Sequence, residues 1–293
     1  MRVAVLGATG VVGRALVPVL AERDEVVAIS RTPRGPTAPG VRAAAADAGD
    51  PGSVRRAIEG ADVIYYLVHS LGAPGFAERD RAAARTVATE AERAGARQIV
   101  YLGGLGDDSP DLSPHLRSRI ETARALSSGA VPVTTLRAAV VVGRGSAGFE
   151  TIVALVDRLP AMVAPRWVST RTQPIALGDV VRYLAGVARE PEAVGRSFDV
   201  GGPEVMTYRE MIERVARLLG RHPAIVEVPV LTPRLSSYWL HLVTPVRANV
   251  ARPLIEGLRT TTVARDDRIR RLLPFRLTPF AEAAYDALAE SRP

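Results

Sequence analysis

A glycine-rich run near the start of the chain has the spacing of a phosphate-binding turn. The run Gly7–Gly13 joins the apolar segment Val3–Leu6 to a segment with helical periodicity. Glycines in a strand–turn–helix unit allow a tight turn, bring the backbone close to a pyrophosphate and let the helix pack on the strand. The run therefore predicts a dinucleotide site, and a glycine turn without a ligand is the alternative. The predicted contacts are Gly7, Thr9, Gly10, Val11, Val12 and Gly13.

The residues after the second apolar run, Val26–Ile29, indicate which dinucleotide is bound. They are Ser30, Arg31 and Arg34, where a site for NAD usually has an Asp or Glu that holds the ribose hydroxyls. An arginine instead forms charge-assisted hydrogen bonds with a 2′-phosphate. We therefore expect NADP(H), unless Arg31 only solvates a loop. Asp47 follows the third apolar run, where its carboxylate either accepts from the adenine amino group or caps a turn.

The composition excludes several kinds of chemistry and of partner. The 293 residues include no cysteine and no lysine, which excludes thiolate, disulfide and Schiff-base sites. The four histidines show no metal-binding spacing, so we expect no metal. The net charge is +7, but the arginines are scattered and have acidic neighbours, so they form no basic run and we expect no nucleic-acid partner. No apolar stretch reaches the roughly 18 residues of a membrane span, and no leader pattern precedes the first strand, so we expect a cytoplasmic protein without an integral membrane segment.

Short apolar runs alternate with amphipathic segments from residue 3 to residue 142. This alternation predicts an α/β fold, a Rossmann-like doubly wound parallel sheet with helices on both faces. After about residue 145 the rhythm changes, so we predict a nucleotide-binding domain at 1–145 and a smaller C-terminal α/β substrate lobe at 146–293. Residues around 173–190 are expected to pack back on the sheet. Capping residues predict helix starts at Asp50, Ser113, Asp179 and Thr207.

Several further segments resemble one family. Together with the glycine spacing they resemble the atypical and extended short-chain dehydrogenase/reductases, most closely the NmrA-like branch of NAD(P)H-binding proteins, over nearly the whole chain. The resemblance implies a Rossmann-like fold, an NAD(P)H cofactor and oxidoreductase activity, but no particular substrate. The segments are Tyr65–Ser70, Tyr101–Leu105, Leu112–Arg119, Gln173–Ile175, Gly201–Pro203 and Leu231–Ser237.

The usual catalytic residues of that family are missing from this chain. The family has a serine after the fifth strand and a Tyr-x-x-x-Lys pair on the next helix, but Gly103 or Gly104 stands at the serine position and there is no lysine. His115 and Arg119 stand where the tyrosine and lysine would, on one helix face. The resemblance therefore implies His115 as a proton donor with an ordinary pKa, and Arg119 as a contact for ribose or an oxyanion. The alternatives are a histidine without a chemical role and a solvated arginine.

The ends of the fourth and fifth strands supply the remaining candidates, because ligands bind beyond the carboxyl ends of parallel strands. His69 is a second catalytic candidate, with Tyr101 or Tyr66 beside it in the crevice, and a partly buried capping histidine is the alternative. Cofactor contacts are also expected from Leu67, Val68 and Gly103.

Three functions are compatible with these residues. The first is an NADP(H)-dependent reductase of a small, mostly apolar carbonyl or enone, so the expected partner is a small-molecule substrate. The sequence leaves the oligomeric state open, with a homodimer as one alternative. The second is an NmrA-like sensor that binds NADP(H) and regulates a partner, because Ser, Tyr and Lys are missing. The third is a non-redox cyclase or isomerase with a structural nucleotide. Residues 231–258 are apolar and proline-rich, and they predict a lid, ordinary core or a dimer contact, with the lid or ordinary core preferred to a membrane-surface patch.

Overall fold

Strands and helices alternate along the chain in the computed structural model, which describes residues 1–32, 38–106, 112–159, 161–228 and 257–289, apart from the side chains of 162–167 and 227–228. The strands are β1 (Arg2–Leu6), β2 (Glu25–Ser30), β3 (Val41–Ala45), β4 (Val63–Tyr66), β5 (Gln98–Gly104), β6 (Val133–Ala138), β7 (Val141–Val142), β8 (Ala161–Pro165), β9 (Arg171–Thr172), β10 (Ile175–Ala176), β11 (Ser197–Val200), β12 (Met206–Thr207) and β13 (Ala224–Val228). The helices are α1 (Val11–Ala21), α2 (Pro51–Ile58), α3 (Phe76–Arg93), α4 (Pro114–Leu126), α5 (Ala147–Arg158), α6 (Leu177–Val187), α7 (Tyr208–Leu218), α8 (Arg268–Leu272) and α9 (Phe280–Ala289).

Seven of these strands form one parallel sheet in the order β11-β6-β5-β4-β1-β2-β3. The order changes direction at β1, which pairs with β2 on one side and with β4 on the other. Helices α1 and α6 cover one face of the sheet, and α2, α3 and α4 cover the opposite face. This arrangement confirms the predicted Rossmann-like, doubly wound α/β fold.

Alternation along the strands divides the buried side chains between two core layers. In β5, Leu102 packs in the layer of α1 and α6, whereas the adjacent Tyr101 packs in the layer of α3 and α4. Tyr65 and Tyr66 of β4 separate in the same way, and the Tyr65 hydroxyl donates to the Leu184 carbonyl of α6 over 3.0 Å. The alternation therefore decides which side chains can reach a ligand on either side of the sheet.

The sheet does not end where the sequence pattern changes at residue 145. Strand β11 comes from the second half of the chain and pairs with β6 from Ser197 to Val200. Helix α6 packs on α1 in the same core layer, through Val180 and Val187 among others. The sheet and its helices are therefore discontinuous in sequence, whereas the sequence-based division places β11 in the second lobe.

Side-chain caps define the start of three helices, as predicted, at Asp50 for α2, Ser113 for α4 and Thr207 for α7. Thr207 and Glu210 form a reciprocal capping box. The prediction for Asp179 is wrong, because α6 begins two residues earlier, at Leu177. The buried Asp179 carboxylate instead accepts from the backbone N–H of Thr278 over 2.7 Å and ties α6 to the segment before α9.

The second lobe consists of α5, α7 and α9 with the strand pairs β7–β10, β9–β12 and β8–β13. Its helices form a separate core cluster around Phe149, Met211 and Phe280. Two of the sequence predictions lie outside the described residues: Arg34, and most of the segment 231–258, of which residues 231–256 are not described. In the part of the chain that the structure describes, no helix is long and apolar enough to cross a membrane.

Candidate active site

The three glycines between β1 and α1 have different surroundings. Gly7 has a φ of +88°, and a Cβ there would lie 2.9 Å from the Leu67 carbonyl carbon and oxygen. A Cβ at Gly13 would lie 2.3 Å from the Gly7 oxygen, so both positions require glycine for the fold. Gly10 is exposed, and a Cβ there would meet only the same Gly7 oxygen, at 3.3 Å. Because Gly10 is also the N-cap of α1 and adds no capping side chain, it leaves space and free N–H groups that fit a phosphate.

This turn forms one wall of a cleft of about 520 Å³ across the carboxyl ends of β1, β4, β5 and β6. The predicted site residues in its wall are Gly7, Gly10, Val11, Val12, Gly13, Leu67, His69, Gly103, His115 and Arg119. The cleft therefore brings the two candidate histidines and the glycine turn into one continuous space. The predicted residues outside its wall are Thr9, which is exposed at the turn, Val68, which packs toward the α2–α3 layer, and Ser30, Arg31, Asp47 and Tyr101.

The predicted adenosine end lies at the carboxyl ends of β2 and β3. The Ser30 hydroxyl donates to the Thr32 carbonyl and shapes the backbone after β2. Arg31 is exposed there and has no ion-pair partner among the described residues. The Asp47 carboxylate accepts from the Gly49 N–H over 2.8 Å, so the turn-capping role that the sequence left open is observed.

His115 and Arg119 lie one turn apart on α4, and His69 reaches the same end of the cleft from the loop after β4. Burial, the Arg119 guanidinium and the His69 ring lower the pKa of His115 to about 3. His69 is exposed to solvent in the cleft, yet the surrounding walls and Arg119 lower its pKa to about 4. Both imidazoles are therefore neutral at pH 7. The expectation of an ordinary pKa for His115 is wrong, because the ring is buried and because a cation and a second imidazole lie near it.

Arg119 is held in place by β5. Its guanidinium carbon lies 5.0 Å from the centroid of the Tyr101 ring, and the guanidinium also donates to the Leu102 carbonyl. The Tyr101 hydroxyl donates to the Arg119 backbone carbonyl over 3.1 Å. Gly104 makes room for this packing, since a Cβ there would lie 2.9 Å from a Leu116 methyl and 3.7 Å from the Arg119 Cγ. Side chains of α4 thus fill the space that a serine at position 104 would need.

Tyr101 lies beneath Arg119 and does not reach the cleft, in contrast to the expectation that it lines the crevice with His69. The reason is strand alternation, which turns its fully buried ring toward Tyr66, with 6.0 Å between ring centroids. Asp80 of α3 is buried nearby, and its carboxylate accepts from the Ser70 N–H over 2.7 Å. Because Ser70 follows His69, Asp80 fixes the loop that carries this histidine.

Sequence reasoning missed Asp80 and several residues of the cleft wall. Arg14 lines the cleft and directly follows Gly13, so its position next to the glycine run was a usable signal. Tyr208 and Thr262 line the cleft from the second lobe, and the Thr262 hydroxyl donates to the Thr172 hydroxyl over 2.8 Å. No local pattern links these distant residues to the turn. Within the described residues, no three His, Cys, Asp or Glu side chains are grouped so that they could hold a metal ion.

Comparisons with known proteins agree with this geometry. Residues 7–141 match a family model described as NAD(P)H-binding. The (4-alkanoyl-5-oxo-2,5-dihydrofuran-3-yl)methyl phosphate reductase of Streptomyces griseus is 31% identical over 229 residues, which cover 74% of this chain and 73% of that protein. The ceramide reductase of Caulobacter vibrioides is 26% identical over 235 residues, which cover 78% of this chain and 73% of that protein.

A solved structure extends the similarity to nearly the whole chain. The Escherichia coli NADPH-dependent quinone oxidoreductase, in complex with NADPH, superimposes with a TM-score of 0.78 at 20% identity and covers 96% of this chain and 98% of that one. That similarity concerns the fold alone, but the Streptomyces protein is related in sequence over most of both chains. The chain therefore belongs to the NAD(P)H-binding family of atypical short-chain dehydrogenase/reductases, in its NmrA-like branch.

Proposed function

We propose that this chain is an NADP(H)-dependent reductase of a small, mostly apolar carbonyl or enone. The observation that carries the proposal is the single cleft that runs from the glycine turn to His69, His115 and Arg119. Reductase activity is further supported by the relatives from Streptomyces griseus and Caulobacter vibrioides, which are both reductases.

The nucleotide would bind along the first half of this cleft. The pyrophosphate would pass over Gly10, where the backbone leaves space, and Arg31 would pair with the 2′-phosphate. The exposed position of Arg31 at the end of β2 supports NADP(H) over NAD(H). The reduced nicotinamide supplies a hydride when it is bound.

The other end of the cleft would serve the substrate oxygen, which needs a proton and stabilisation of its developing charge. His115 would donate a hydrogen bond to this oxygen, and Arg119 would stabilise the negative charge that develops on it. Tyr101 would act as a positioning residue for Arg119, and Asp80 as one for His69. A neutral imidazole still donates one N–H hydrogen bond, so the lowered pKa of His115 leaves a role in polarising the carbonyl.

The remaining walls support an apolar substrate. Burial of apolar substrate surface against them would contribute roughly 25 cal/mol per Å². The apolar side chains of these walls are Leu71, Leu102, Leu105, Leu116, Val140, Ile152 and Leu258.

The test is loss of NADPH absorbance in the presence of a panel of ketones, enones and quinones. We expect substrate-dependent oxidation, and turnover roughly 100-fold lower in His115→Phe with unchanged NADPH affinity, as expected for loss of a hydrogen-bond donor to the developing oxyanion. His222→Phe is the matched control, because His222 is an exposed histidine that does not line the cleft. Wild-type turnover in His115→Phe would instead mean that His69 or a water molecule acts on the substrate oxygen.

A second candidate function is an NADP(H)-binding regulator or non-redox enzyme. It is favoured by the missing Ser, Tyr and Lys and by the lowered pKa values of both histidines. Tight NADPH binding without oxidation by any member of the panel would support this candidate over the reductase.

A further inference from the structure

We propose that the end of the cleft formed by His69, His115 and Arg119 binds an anionic group of the substrate, a carboxylate in the simplest case, close to the carbonyl that is reduced. We further propose that this anion lets one of the two histidines take up the proton that the reaction needs. The inference rests on the proposed function and names the substrate class for the same site, a keto acid with an apolar remainder.

The charge distribution of the cleft is the first support. Its wall contains two arginines, Arg14 beside the glycine turn and Arg119 at the far end, and none of its described residues is Asp or Glu. Arg14 and Arg31 lie on the nucleotide side, where the phosphates would meet them. Arg119 has no carboxylate within ion-pair distance among the described residues, so its charge is available to a ligand.

The way Arg119 is held is the second support. The Tyr101 ring lies under the guanidinium at 5.0 Å, and one of its nitrogens donates to the Leu102 carbonyl. A guanidinium has five N–H donors in a rigid fork, so donors remain for a carboxylate in the cleft. Because the side chain is already immobilised, a ligand would not have to order it on binding.

The groups around the histidines explain the coupling to a proton. After burial, Arg119 is the main cause that lowers the pKa of both rings, and no carboxylate of the described residues raises either pKa. The Asp80 carboxylate is buried under the loop and accepts from the Ser70 N–H. The phenols of Tyr66 and Tyr101 also lie below Arg119, and both have raised pKa values because they are buried. Asp80 therefore offsets little of the arginine charge at the histidines. A substrate carboxylate docked on Arg119 would offset that charge directly, and the pKa of the adjacent histidine would rise.

The test measures binding without turnover, so it is independent of whether NADPH is oxidised. Benzoylpropionate, a stable keto acid with an apolar ring, and its neutral methyl ester are titrated by calorimetry into the protein saturated with NADP⁺. We expect the acid to bind on the order of tenfold more tightly than the ester, as charge-assisted hydrogen bonds allow. Repetition at pH 7 in buffers of different ionisation enthalpy should show proton uptake with the acid and none with the ester.

Two variants separate the proposed contact from general electrostatics. Arg119→Gln should remove the preference for the acid, and Arg124→Gln, an exposed arginine on the same helix, should keep it. Circular dichroism and NADPH affinity show whether each variant is folded. Equal affinities for acid and ester, or binding of neither, would overturn the anion site. An acid preference without proton uptake would overturn the coupling. Failure of the proposed function would appear differently, as absence of NADPH oxidation with every carbonyl tested.

Discussion

Arg119 acts on both candidate catalytic histidines of the cleft. It lies one helical turn from His115, and after burial of the rings it is the next largest cause that lowers the pKa of both imidazoles. In the family that this chain resembles, a lysine at this place lowers the pKa of a tyrosine. Here a permanent cation acts on histidines, whose charged form it disfavours. The cation lowers the pKa of the acid in both arrangements, but it favours the charged tyrosinate in one and disfavours the charged imidazolium in the other.

The pH dependence of catalysis tests this description. With a pKa of about 3, His115 is protonated to a decreasing extent as the pH rises, since the imidazolium loses its proton above that value. If the imidazolium is the proton donor, kcat/KM at saturating NADPH falls about tenfold per pH unit from about pH 5 to about pH 8. Stopped-flow rates across that range measure it. If kcat/KM does not change with pH in the wild type and is lower in His115→Phe, the neutral ring acts only as a hydrogen-bond donor.

Arg31 carries the second prediction at this scale. Arg31→Ala should weaken NADPH binding by about tenfold to a hundredfold, because a charge-assisted contact to the 2′-phosphate is lost, and should leave NADH binding unchanged. Calorimetric titration with both nucleotides measures the difference. Arg42→Ala is the matched control, since Arg42 is an exposed arginine in the neighbouring strand β3. Equal losses for NADPH and NADH would place the contact on the shared part of the nucleotides.

At the scale of the element, the turn between β1 and α1 separates folding from binding. Gly7 and Gly13 are enclosed by backbone, whereas a Cβ at Gly10 would meet only the Gly7 oxygen, at 3.3 Å. We predict that Gly10→Val abolishes nucleotide binding and lowers the thermal unfolding midpoint only slightly, because the side chain enters the ligand space and its Cβ meets one backbone atom, at 3.3 Å. Gly13→Val should lower that midpoint strongly, because its Cβ would start 2.3 Å from the Gly7 oxygen. Circular dichroism melts and NADPH titrations compare the two, and Gly10→Val with wild-type affinity would show that the phosphates lie elsewhere.

Elements with local signals could be predicted from the sequence, and contacts between distant elements could not. The caps at Asp50 and Thr207 depend on residues within four positions, so their patterns identify the helix starts. Asp179 has the composition of a cap, but its actual partner, Thr278, lies 99 residues away. The face on which Tyr101 lies could have been read from strand alternation. The pKa of His115 could not, because it depends first on how deeply the folded cleft buries the ring, and then on Arg119 and on the approach of His69 from the loop after β4.

At the scale of the whole molecule, the sheet joins two separated parts of the sequence. Beyond β11 and α6, a buried polar chain crosses the division at residue 145. Gln98 donates to the Thr134 hydroxyl over 2.7 Å, and that hydroxyl donates to the Ala193 carbonyl over 2.7 Å. In residues 1–145 alone, β6 would lack its outer neighbour and Thr134 its acceptor, so buried polar groups would lose partners.

We therefore predict that a fragment of residues 1–145 is not a folded nucleotide-binding unit, although it contains the complete glycine turn. The fragment should show no cooperative thermal unfolding and no NADPH binding, and the full chain measured in parallel should show both. Circular dichroism and calorimetry make the comparison. A cooperative melt with NADPH binding by the fragment would show that β11 and α6 are dispensable.

The late arrival of β11 also has a consequence for the chain during its synthesis. The ribosome delivers the phosphate turn first, but the strand that closes the open side of β6 is Ser197–Val200. Until that segment emerges, the nascent chain exposes an unpaired parallel strand and the apolar side of α1, which are the surfaces that aggregate or recruit chaperones. The nucleotide turn is thus made well before its sheet is complete, since β11 lies about two-thirds of the way along the chain. Slow translation between residues 145 and 200 should prolong this exposed state.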